Sequence, residues 1–420
     1  MSALLAPVST GYTLRIYQQH AVDRAVSYLT QPEFRGRNGL IVIPTGAGKS
    51  LVIAGIASRL NAPVLVFQPS KEILEQNAEK LRGYGYHPGI WSASLGKKRM
   101  GMITLATIGS VVRDAELFKQ FKYVLIDEAH LVNAKGGMYR NFLDVLSHAR
   151  VIGLTATPYR LASTSLGSEL RFLTRTRPRI FDDVVYYMNL GPLFRAGFLA
   201  PLAYDTRDTF NETQLRLNST GADYDDASLQ RHFRETGFGA RVQAKVQHLL
   251  ANGHKQALVF TRFTKESEDL AAAIPGSAVI TAETPADRRA QVLWQFKKGL
   301  LRVVANVGVL SVGFDYPELT TVVLARPTMS LALYYQQVGR CIRPHPSKPT
   351  AHVIDMVGLK KRFGPIEQLW MQPGGKNGQQ WVIVTGEQRD RVLTNVSFGL
   401  PRGFASNSSR AAGAATAGGF

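Results

Sequence analysis

The sequence has very little cysteine and no long apolar run, and both absences exclude classes of protein. Its 420 residues include one cysteine, Cys341. A single thiol cannot form a disulfide within the chain, and a cysteine-rich zinc module is excluded. No run approaches the ~20 apolar residues that span a bilayer. Residues 1–13 also lack the charged-then-apolar layout of a signal peptide. We therefore expect no membrane partner and a cytoplasmic location.

Acidic residues are scarce relative to basic ones. The chain has 50 Lys and Arg against 31 Asp and Glu, so its net charge is +19. An excess of this size favours a polyanionic partner such as nucleic acid. The alternative is a basic protein that its charge merely keeps in solution. Charge alone does not choose between DNA and RNA.

Short β-branched runs alternate with amphipathic helical stretches in both halves of the chain. Such alternation is typical of parallel sheets that helices cover on both faces. Two sets of runs predict an α/β fold with two lobes. The predicted strands of the first half are 40–43, 64–67, 102–106, 123–126 and 151–154, and those of the second half are 257–261, 278–281, 302–305, 321–325 and 352–355.

The boundary between the lobes falls in a polar stretch. Residues 204–239 are rich in Asn, Thr, Asp and Gly, so we place the boundary between 200 and 235. The predicted domains are a first lobe over 1–200, a linker with the second lobe over 201–365, and a short tail over 366–420. From residue 403 the tail is mostly Gly, Ala and Ser, and we expect disorder there.

A glycine-rich turn joins a predicted buried strand to a predicted helix. Residues 41–50 read IVIPTGAGKS. Gly46 and Gly48 allow backbone amides to close around phosphates, Lys49 can reach the outer phosphates, and the hydroxyl of Ser50 can reach Mg²⁺. The strict P-loop pattern has Gly where this chain has Ile43. A turn that only joins two elements is the competing interpretation.

Two acidic residues end a later apolar strand. Residues 123–130 read YVLIDEAH, and the carboxyl edge of a parallel sheet is where ligands bind in such folds. Asp127 suits a role in holding Mg²⁺, and Glu128 suits polarising a water molecule. A strand that ends in acids is common by itself. Downstream of a P-loop it indicates nucleotide hydrolysis.

With these two motifs the chain resembles the DEAH-box helicases of superfamily 2. That resemblance implies two RecA-like lobes, each a parallel sheet with helices on both faces, and an ATP cleft between them. Other helicase-like segments occur in the expected order: LRIYQ at 14–18, FQPSKE at 67–72, ATIGS at 106–110, TATP at 155–158, FTR at 260–262, NVGVLSVGFDYP at 306–317 and QQVGRCIR at 336–343.

The second half is similar to one branch of these helicases. The segments ITAETPADRR, VGVLSVGFD, LARPTMSLALYYQQVGR and GPIE resemble the RadD-type DNA repair helicases and their phage-borne relatives. That branch usually continues into a cysteine-rich zinc segment and a further domain, and we expect neither in this chain. Functions of those parts, partner docking included, are therefore not implied. The expected cell is bacterial or phage-infected.

The resemblance implies ATP and Mg²⁺ as cofactors and assigns residues to them. The catalytic residues are Lys49, Asp127, Glu128, Arg340 and Arg343, of which the two arginines act as fingers. Ser50 and Asp127 hold Mg²⁺. The nucleotide-binding residues are Arg15, Gln18, Pro44, Thr45, Gly46, Ala47, Gly48, Lys49, Ser50, Gly313, Asp315 and Gln336. The competing interpretation makes Arg340 and Arg343 surface charges on one helix face.

Other residues are implied in coupling and in nucleic-acid contact. The coupling residues are His130, Thr155, Ala156 and Thr157, with His130 linked to Gln336 across the cleft. The nucleic-acid-binding residues are Gln68, Pro69, Ser70, Lys71, Thr107, Arg262 and Asn306. An ordinary buried histidine and plain surface residues are the alternatives.

An arginine-rich segment follows the TATP motif. Arg171, Arg175, Arg177 and Arg179 alternate with other residues in RFLTRTRPRIF. In an extended strand they would all point to one side, toward DNA or toward solvent. The residues do not decide between these two.

We therefore predict an ATP-dependent DNA helicase or translocase that acts in DNA repair, recombination or replication. It would contact the backbone of single-stranded or branched DNA, and the resemblance implies 3′→5′ movement. A protein partner could supply targeting. The alternatives are an RNA helicase, a motor subunit of a nuclease or restriction complex, and a binding protein that has lost catalysis.

Overall fold

The computed structural model describes residues 13–164, 167–207, 210–220, 222–311, 314–374, 380–394 and 397–398. The chain divides into two compact units. The first comprises Met1–Tyr159 and Phe172–Asn189, and the second comprises Arg160–Arg171 and Leu190–Phe420. This division lies about ten residues before the predicted boundary, and residues 160–171 cross to the second unit. The expected disorder from residue 403 falls outside the described residues.

The strands and helices are numbered in chain order. The strands are β1 Gly39–Val42, β2 Val64–Phe67, β3 Gly89–Ser92, β4 Lys97–Lys98, β5 Ile103–Ala106, β6 Tyr123–Asp127, β7 Arg150–Thr155, β8 Tyr159–Thr164, β9 Gly167–Phe172, β10 Asp183–Tyr187, β11 Leu202–Asp205, β12 Ala257–Thr261, β13 Ser277–Ile280, β14 Val303–Asn306, β15 Thr321–Ala325, β16 Ala351–Asp355, β17 Trp370–Gly374, β18 Gln380–Thr385, β19 Arg391–Val392 and β20 Ser397–Phe398. The α-helices are α1 Ile16–Thr30, α2 Lys49–Arg59, α3 Lys71–Gly83, α4 Ile108–Val111, α5 Met138–Val145, α6 Leu190–Arg195, α7 Asp226–Glu235, α8 Phe238–Ala251, α9 Thr264–Ala273, α10 Ala286–Lys297, α11 Leu331–Val338 and α12 Leu359–Phe363. Short 3-10 helices span Pro32–Phe34, Ala93–Leu95, Val112–Phe118, Ala129–Leu131, Leu173–Arg175 and Ile366–Gln368.

The first unit is built on an eight-stranded sheet. Its strand order is β10-β1-β7-β6-β2-β5-β3-β4, and every pair is parallel except β3 with β4. The central strands β1, β2 and β6 are buried almost throughout, as expected where helices cover both faces of a sheet. The P-loop therefore follows a buried central strand.

The second unit repeats this arrangement with a six-stranded sheet. Its order is β11-β16-β15-β12-β14-β13, and all of its pairs are parallel. Strands β12, β14 and β15 are buried along their whole length. All ten strands that the sequence predicted occur here or in the first unit, within one residue of their predicted ends.

Residues beyond 366, which the sequence analysis assigned to a plain tail, contain ordered structure. Strands β17, β18 and β19 form an antiparallel sheet in which Met371 and Ile383 are paired and buried. Strand β18 has a continuous apolar run over 381–384, and its last three residues are buried. A further small sheet has the order β20-β9-β8. Within the described residues, no helix is long and apolar enough to cross a bilayer.

Candidate active site

The P-loop follows β1 and leads directly into α2. Gly46 and Gly48 both have left-handed backbones, with φ of 81° and 83°. A Cβ at Gly48 would collide with the side-chain amide of Gln18, so the position requires glycine for space as well as for conformation. Helix α2 begins at Lys49 and is 11 residues long, so its first amides and its dipole face the loop. This geometry suits a phosphate group.

Helix α1 braces the P-loop from one side. The hydroxyl of Tyr17 and the amide of Gln18 both donate to the backbone oxygen of Ala47, over 3.0 and 2.9 Å. The Gln18 side-chain oxygen accepts from the backbone amide of Arg15. Gln18 is therefore buried and shapes the loop. The predicted contacts of Arg15 and Gln18 with adenine stay predictions.

Lys49 and Glu128 form an ion pair beside the P-loop. The ammonium of Lys49 lies 2.8 Å from Glu128 Oε1, and both side chains are largely buried. Glu128 has a left-handed backbone with φ of 49°, and its amide donates to Asp127 Oδ1. Such a conformation in a residue other than glycine carries strain and turns the Glu128 carboxylate toward Lys49. The predicted catalytic residues of the first lobe are thus brought together.

Asp127 is buried at the carboxyl end of β6. Burial, with the Glu128 carboxylate nearby, raises the pKa of Asp127 to about 6, while the Lys49 ammonium opposes the rise. A cation that binds next to this carboxylate would stabilise its ionised form. Together with the Ser50 hydroxyl it forms a hard-oxygen donor set that fits Mg²⁺, whose remaining ligands would be phosphate oxygens and water. Among the described residues there is no cluster of three or more His, Cys, Asp or Glu that suits a metal.

Asn77, which the sequence analysis did not select, contacts this donor set. Ser50 Oγ donates to Asn77 Oδ1 over 2.7 Å, and Asn77 Nδ2 donates to Gln68 Oε1 over 2.7 Å. Asn77 lies on α3 and is buried. It links the P-loop serine to the end of β2. No local motif signals this role, because it depends on α3 packing against α2.

The predicted coupling residues lie next to Glu128. His130 Nδ1 is 2.9 Å from Thr155 Oγ1 and 3.3 Å from Glu128 Oε2. Thr155 Oγ1 also accepts from the amide of Thr157, and both threonines are buried. A chain of side-chain contacts thus runs from Glu128 through His130 to Thr155, at the end of β7. The roles of these residues and of Ala156 in coupling, and the link from His130 to Gln336, stay predictions.

The two predicted arginine fingers are held differently in the second unit. Arg340 donates to the backbone oxygens of Gln336 and Phe314, over 3.1 and 2.8 Å. Arg343 forms an ion pair with Asp315. Burial lowers the pKa of Arg343, although a guanidinium stays charged at neutral pH. Gly313 falls outside the described residues.

A buried lysine joins the turns that carry these residues. Lys348 is 3% exposed, and its ammonium donates to the backbone oxygens of Pro317, Leu319 and Cys341, over 2.6, 2.9 and 2.8 Å. Three acceptors match the three donors of an ammonium group. Lys348 therefore ties the turn after Asp315 to the segment between Arg340 and Arg343. The sequence analysis missed it because a lysine is usually a surface residue.

Two members of the predicted nucleic-acid set are buried. Asn306 is fully buried, where it donates to Val259 O and accepts from the amide of Leu310. Gln68 is also buried, in its contact with Asn77. Both side chains therefore form contacts within the protein, and their predicted contacts with nucleic acid stay predictions.

The other predicted contacts keep partly accessible side chains. Ser70 caps α3 by accepting from the amide of Ile73, and Thr107 bonds to Ser110. Arg262 pairs with Asp226. Contacts of these residues, and of Pro69 and Lys71, with nucleic acid stay predictions.

The arginine-rich segment is not one extended strand. Strand β9 ends at Phe172 and a 3-10 helix follows, so Arg171 and Arg175 do not continue one alternating pattern. Arg171 pairs with Glu169, and Arg179 pairs with Asp182. The expectation of four arginines on one side is therefore corrected.

Comparison with known proteins agrees with this arrangement. Residues 11–160 match the family described as the res subunit of type III restriction enzymes, and residues 241–345 match the helicase conserved C-terminal domain. The two matches together indicate similarity to helicases of superfamily 2. The parallel sheets and the similar solved structures confirm the predicted α/β fold with two RecA-like lobes.

Individual relatives are distant. The chain is 27% identical to a 51.5 kDa protein of a Lactococcus phage over 76% of this chain, and it covers 65% of that protein. It is 25% identical to the DNA 3′-5′ translocase XPB2 of Sulfurisphaera tokodaii, over 79% of this chain and 78% of that protein. A solved fragment assigned to the HsdR subunit of a type I restriction enzyme from Vibrio vulnificus YJ016 superposes with a TM-score of 0.62 at 21% identity, over 87% of this chain and 68% of the fragment.

Proposed function

We propose that this chain is an ATP-dependent DNA helicase or translocase. The observation that carries the proposal is the joint placement of Lys49, Asp127 and Glu128 around the P-loop. Lys49 lies within 2.8 Å of Glu128, and the buried Asp127 carboxylate lies beside them. The similarity to a protein named as a DNA translocase supports DNA as the nucleic acid along which the chain moves.

The proposed reaction begins with ATP phosphates on the amides of residues 45–50. Lys49 exchanges its contact with Glu128 for the outer phosphates, which frees Glu128 to accept a proton from the attacking water. Ser50 and Asp127 would hold Mg²⁺, which neutralises charge on the phosphate oxygens. Arg343, with Arg340, stabilises charge on the transferring phosphoryl group. His130 contacts both Glu128 and Thr155. Through these contacts, a change at Glu128 on hydrolysis would alter the position of the turn after β7.

Similarity in the second half supports a RadD-like motor in DNA repair, recombination or replication. DNA would be contacted through its backbone by Lys71, Thr107 and Arg262, which explains movement without sequence choice. Single-stranded or branched DNA is the proposed substrate, with 3′→5′ polarity. A protein partner would supply targeting beyond these contacts.

ATPase and strand-displacement assays test this proposal. Hydrolysis would be measured with single-stranded DNA, forks, tailed duplexes and RNA, with Lys49→Ala as the matched control. We expect DNA to stimulate hydrolysis more than RNA does and Lys49→Ala to abolish it. Greater stimulation by RNA would favour an RNA helicase. DNA binding without hydrolysis on any substrate would indicate a protein that has lost catalysis.

A second candidate is a motor subunit of a restriction or nuclease complex. The match of residues 11–160 to a restriction-enzyme family favours it. The sequence of the tail does not contain a carboxylate–lysine cluster typical of nucleases, so cleavage of DNA would require a partner protein. If the chain translocates on duplex DNA without separating strands, this candidate is preferred over the helicase.

A further inference from the structure

The first unit has a second concave surface, at the edge of its sheet opposite the P-loop. It is a cleft of about 700 Å³. Its lining residues lie where β1, β6 and β7 begin, whereas the P-loop and Glu128 follow the ends of β1 and β6. Because these strands are parallel, the cleft and the P-loop lie at opposite edges of one sheet. A cleft of this size is large enough for a ligand.

Positive charge dominates the lining of this cleft. Lysine and arginine supply six of the lining residues, and aspartate supplies one. The basic residues are Arg35, Arg37, Lys122, Arg140, Arg150 and Arg179, and the acidic residue is Asp144. A concave surface lined by one sign of charge concentrates counter-ions of the opposite sign. The cleft therefore favours an anionic ligand.

Only half of these basic residues have a carboxylate partner. Arg37 pairs with Asp183, Arg140 with Asp144 and Arg179 with Asp182. Within the part of the chain that the structure describes, Arg35, Lys122 and Arg150 pair with no carboxylate. Their charge is left for solvent or for a ligand to neutralise.

Arg150 is held in place at the floor of the cleft. One of its terminal nitrogens donates to the backbone oxygens of Tyr28 and Gln31, both over 2.9 Å. Its Nε is buried and, among the described residues, has no hydrogen-bond partner. Burial lowers the pKa of Arg150, and the charge of Arg35 nearby lowers it further. A guanidinium group that two backbone oxygens hold in place is preorganised to bind an anion.

We propose that this cleft binds phosphate groups of a nucleic-acid strand, at a place separate from the P-loop and from Lys71 and Thr107. The inference rests on the proposed function as a motor on DNA. A strand presents phosphates in a row, which suits cations spread along a cleft better than a single anion does. Arginine forks match phosphate oxygens in geometry as well as in charge. A free oligophosphate has the same chemistry and is the other source of such groups.

The test is a paired charge reversal, Arg35→Glu with Lys122→Glu. Both side chains are exposed, so the fold should be retained. The matched control is Lys97→Glu with Lys119→Glu, two exposed residues of the same unit that do not line the cleft. Binding of a fluorescein-labelled DNA single strand would be measured by anisotropy across NaCl concentrations, without nucleotide. The quantity compared is the slope of the logarithm of the binding constant against the logarithm of the NaCl concentration. We expect the magnitude of this slope to fall by about 1.4 in the cleft variant, or ~0.7 per lost phosphate contact. The control should keep the wild-type slope.

Equal slopes for the two paired variants would overturn the proposal. A second arm uses tripolyphosphate on a Lys49→Ala background, which weakens competing binding at the P-loop. Loss of tripolyphosphate binding together with an unchanged DNA slope would overturn nucleic acid as the source and leave a free oligophosphate. Because neither arm requires hydrolysis, an absent ATPase activity would count against the proposed function alone.

Discussion

The hydroxyl of Ser50 donates to the side-chain oxygen of Asn77, 2.7 Å away, and this bond sets where the serine oxygen points. Because the Ser50 hydroxyl directs its hydrogen toward Asn77, the lone pairs of Ser50 Oγ are left to bind a cation beside the P-loop. Asn77 is itself fixed by its donation to Gln68. Asn77 is therefore a positioning residue for the proposed Mg²⁺ ligand.

Replacing Asn77 by leucine should weaken use of Mg²⁺. Asn77→Leu removes the acceptor for Ser50 and leaves a half-buried hydroxyl with no fixed direction. We expect the Mg²⁺ concentration for half-maximal ATPase activity to rise about tenfold, which corresponds to ~1.4 kcal/mol for one lost hydrogen bond. A Mg²⁺ titration of steady-state hydrolysis measures this.

Asn77→Asp should be milder than Asn77→Leu, because it keeps the acceptor for Ser50. Gln68 Nε2 has no partner among the described residues, so the Gln68 amide can rotate and donate to the new carboxylate. Glu75→Gln, on the exposed face of the same helix, is the control. Wild-type Mg²⁺ dependence in Asn77→Leu would contradict the assigned role.

Arg343 and Arg340 should differ when each is changed to alanine. Arg343 pairs with one side chain, so Arg343→Ala should lower kcat about 10³-fold with little change in KM, as expected for a finger that acts in the transition state. Arg340 donates to two backbone oxygens. Arg340→Ala should also lower the free energy of unfolding by about 1–3 kcal/mol.

Steady-state kinetics and urea unfolding on the same preparations separate the two effects. Arg343→Lys keeps the charge but loses the planar fork, so it should recover only part of kcat. Arg231→Ala, at an exposed position of α7, is the control. Near-normal kcat in Arg343→Ala would remove its assignment as a finger.

Much of the fold could be predicted because its strands are short apolar runs between helical patterns. The same logic failed for β10 and β17, which are mostly partly exposed, and for β19, which has only two residues. Strand β18 was not predicted although it contains a short apolar run. Lys49, Asp127 and Glu128 could be predicted because each follows a strand end on one sheet edge. Asn77 and Lys348 could not, because their roles come from tertiary packing that no local spacing encodes.

Lys348→Met should destabilise the second unit. Methionine fills a similar volume but leaves the oxygens of Pro317, Leu319 and Cys341 without their shared donor. We expect the free energy of unfolding to fall by roughly 2–4 kcal/mol, from several buried acceptors left unpaired. Urea unfolding followed by circular dichroism measures this, with the exposed Lys361→Met as control. kcat should fall as well, because the segment between Arg340 and Arg343 loses its anchor, and equal stability of both variants would contradict this role.

Glu266 should make stability depend on pH. Its Oε2 accepts from the amide of Phe263 at the start of α9, and burial raises its pKa from 4.5 to about 7, with the Asp269 charge adding to the rise. The folded chain therefore holds this proton more tightly than the unfolded chain between those values. Stability from this group is fully present below pH 4.5 and is lost as pH rises through 7.

Glu266→Gln keeps the acceptor and removes the ionisation. Relative to the wild type, the variant's free energy of unfolding should rise by on the order of 2 kcal/mol at pH 8, after allowance for partial exposure, and by almost nothing near pH 4. Urea unfolding at stepped pH values gives the difference directly. Glu268→Gln, an exposed neighbour on the same helix, controls for the change in net charge. A difference that does not vary with pH would mean that Glu266 ionises alike in the folded and unfolded chain, because only an unequal pKa produces the slope.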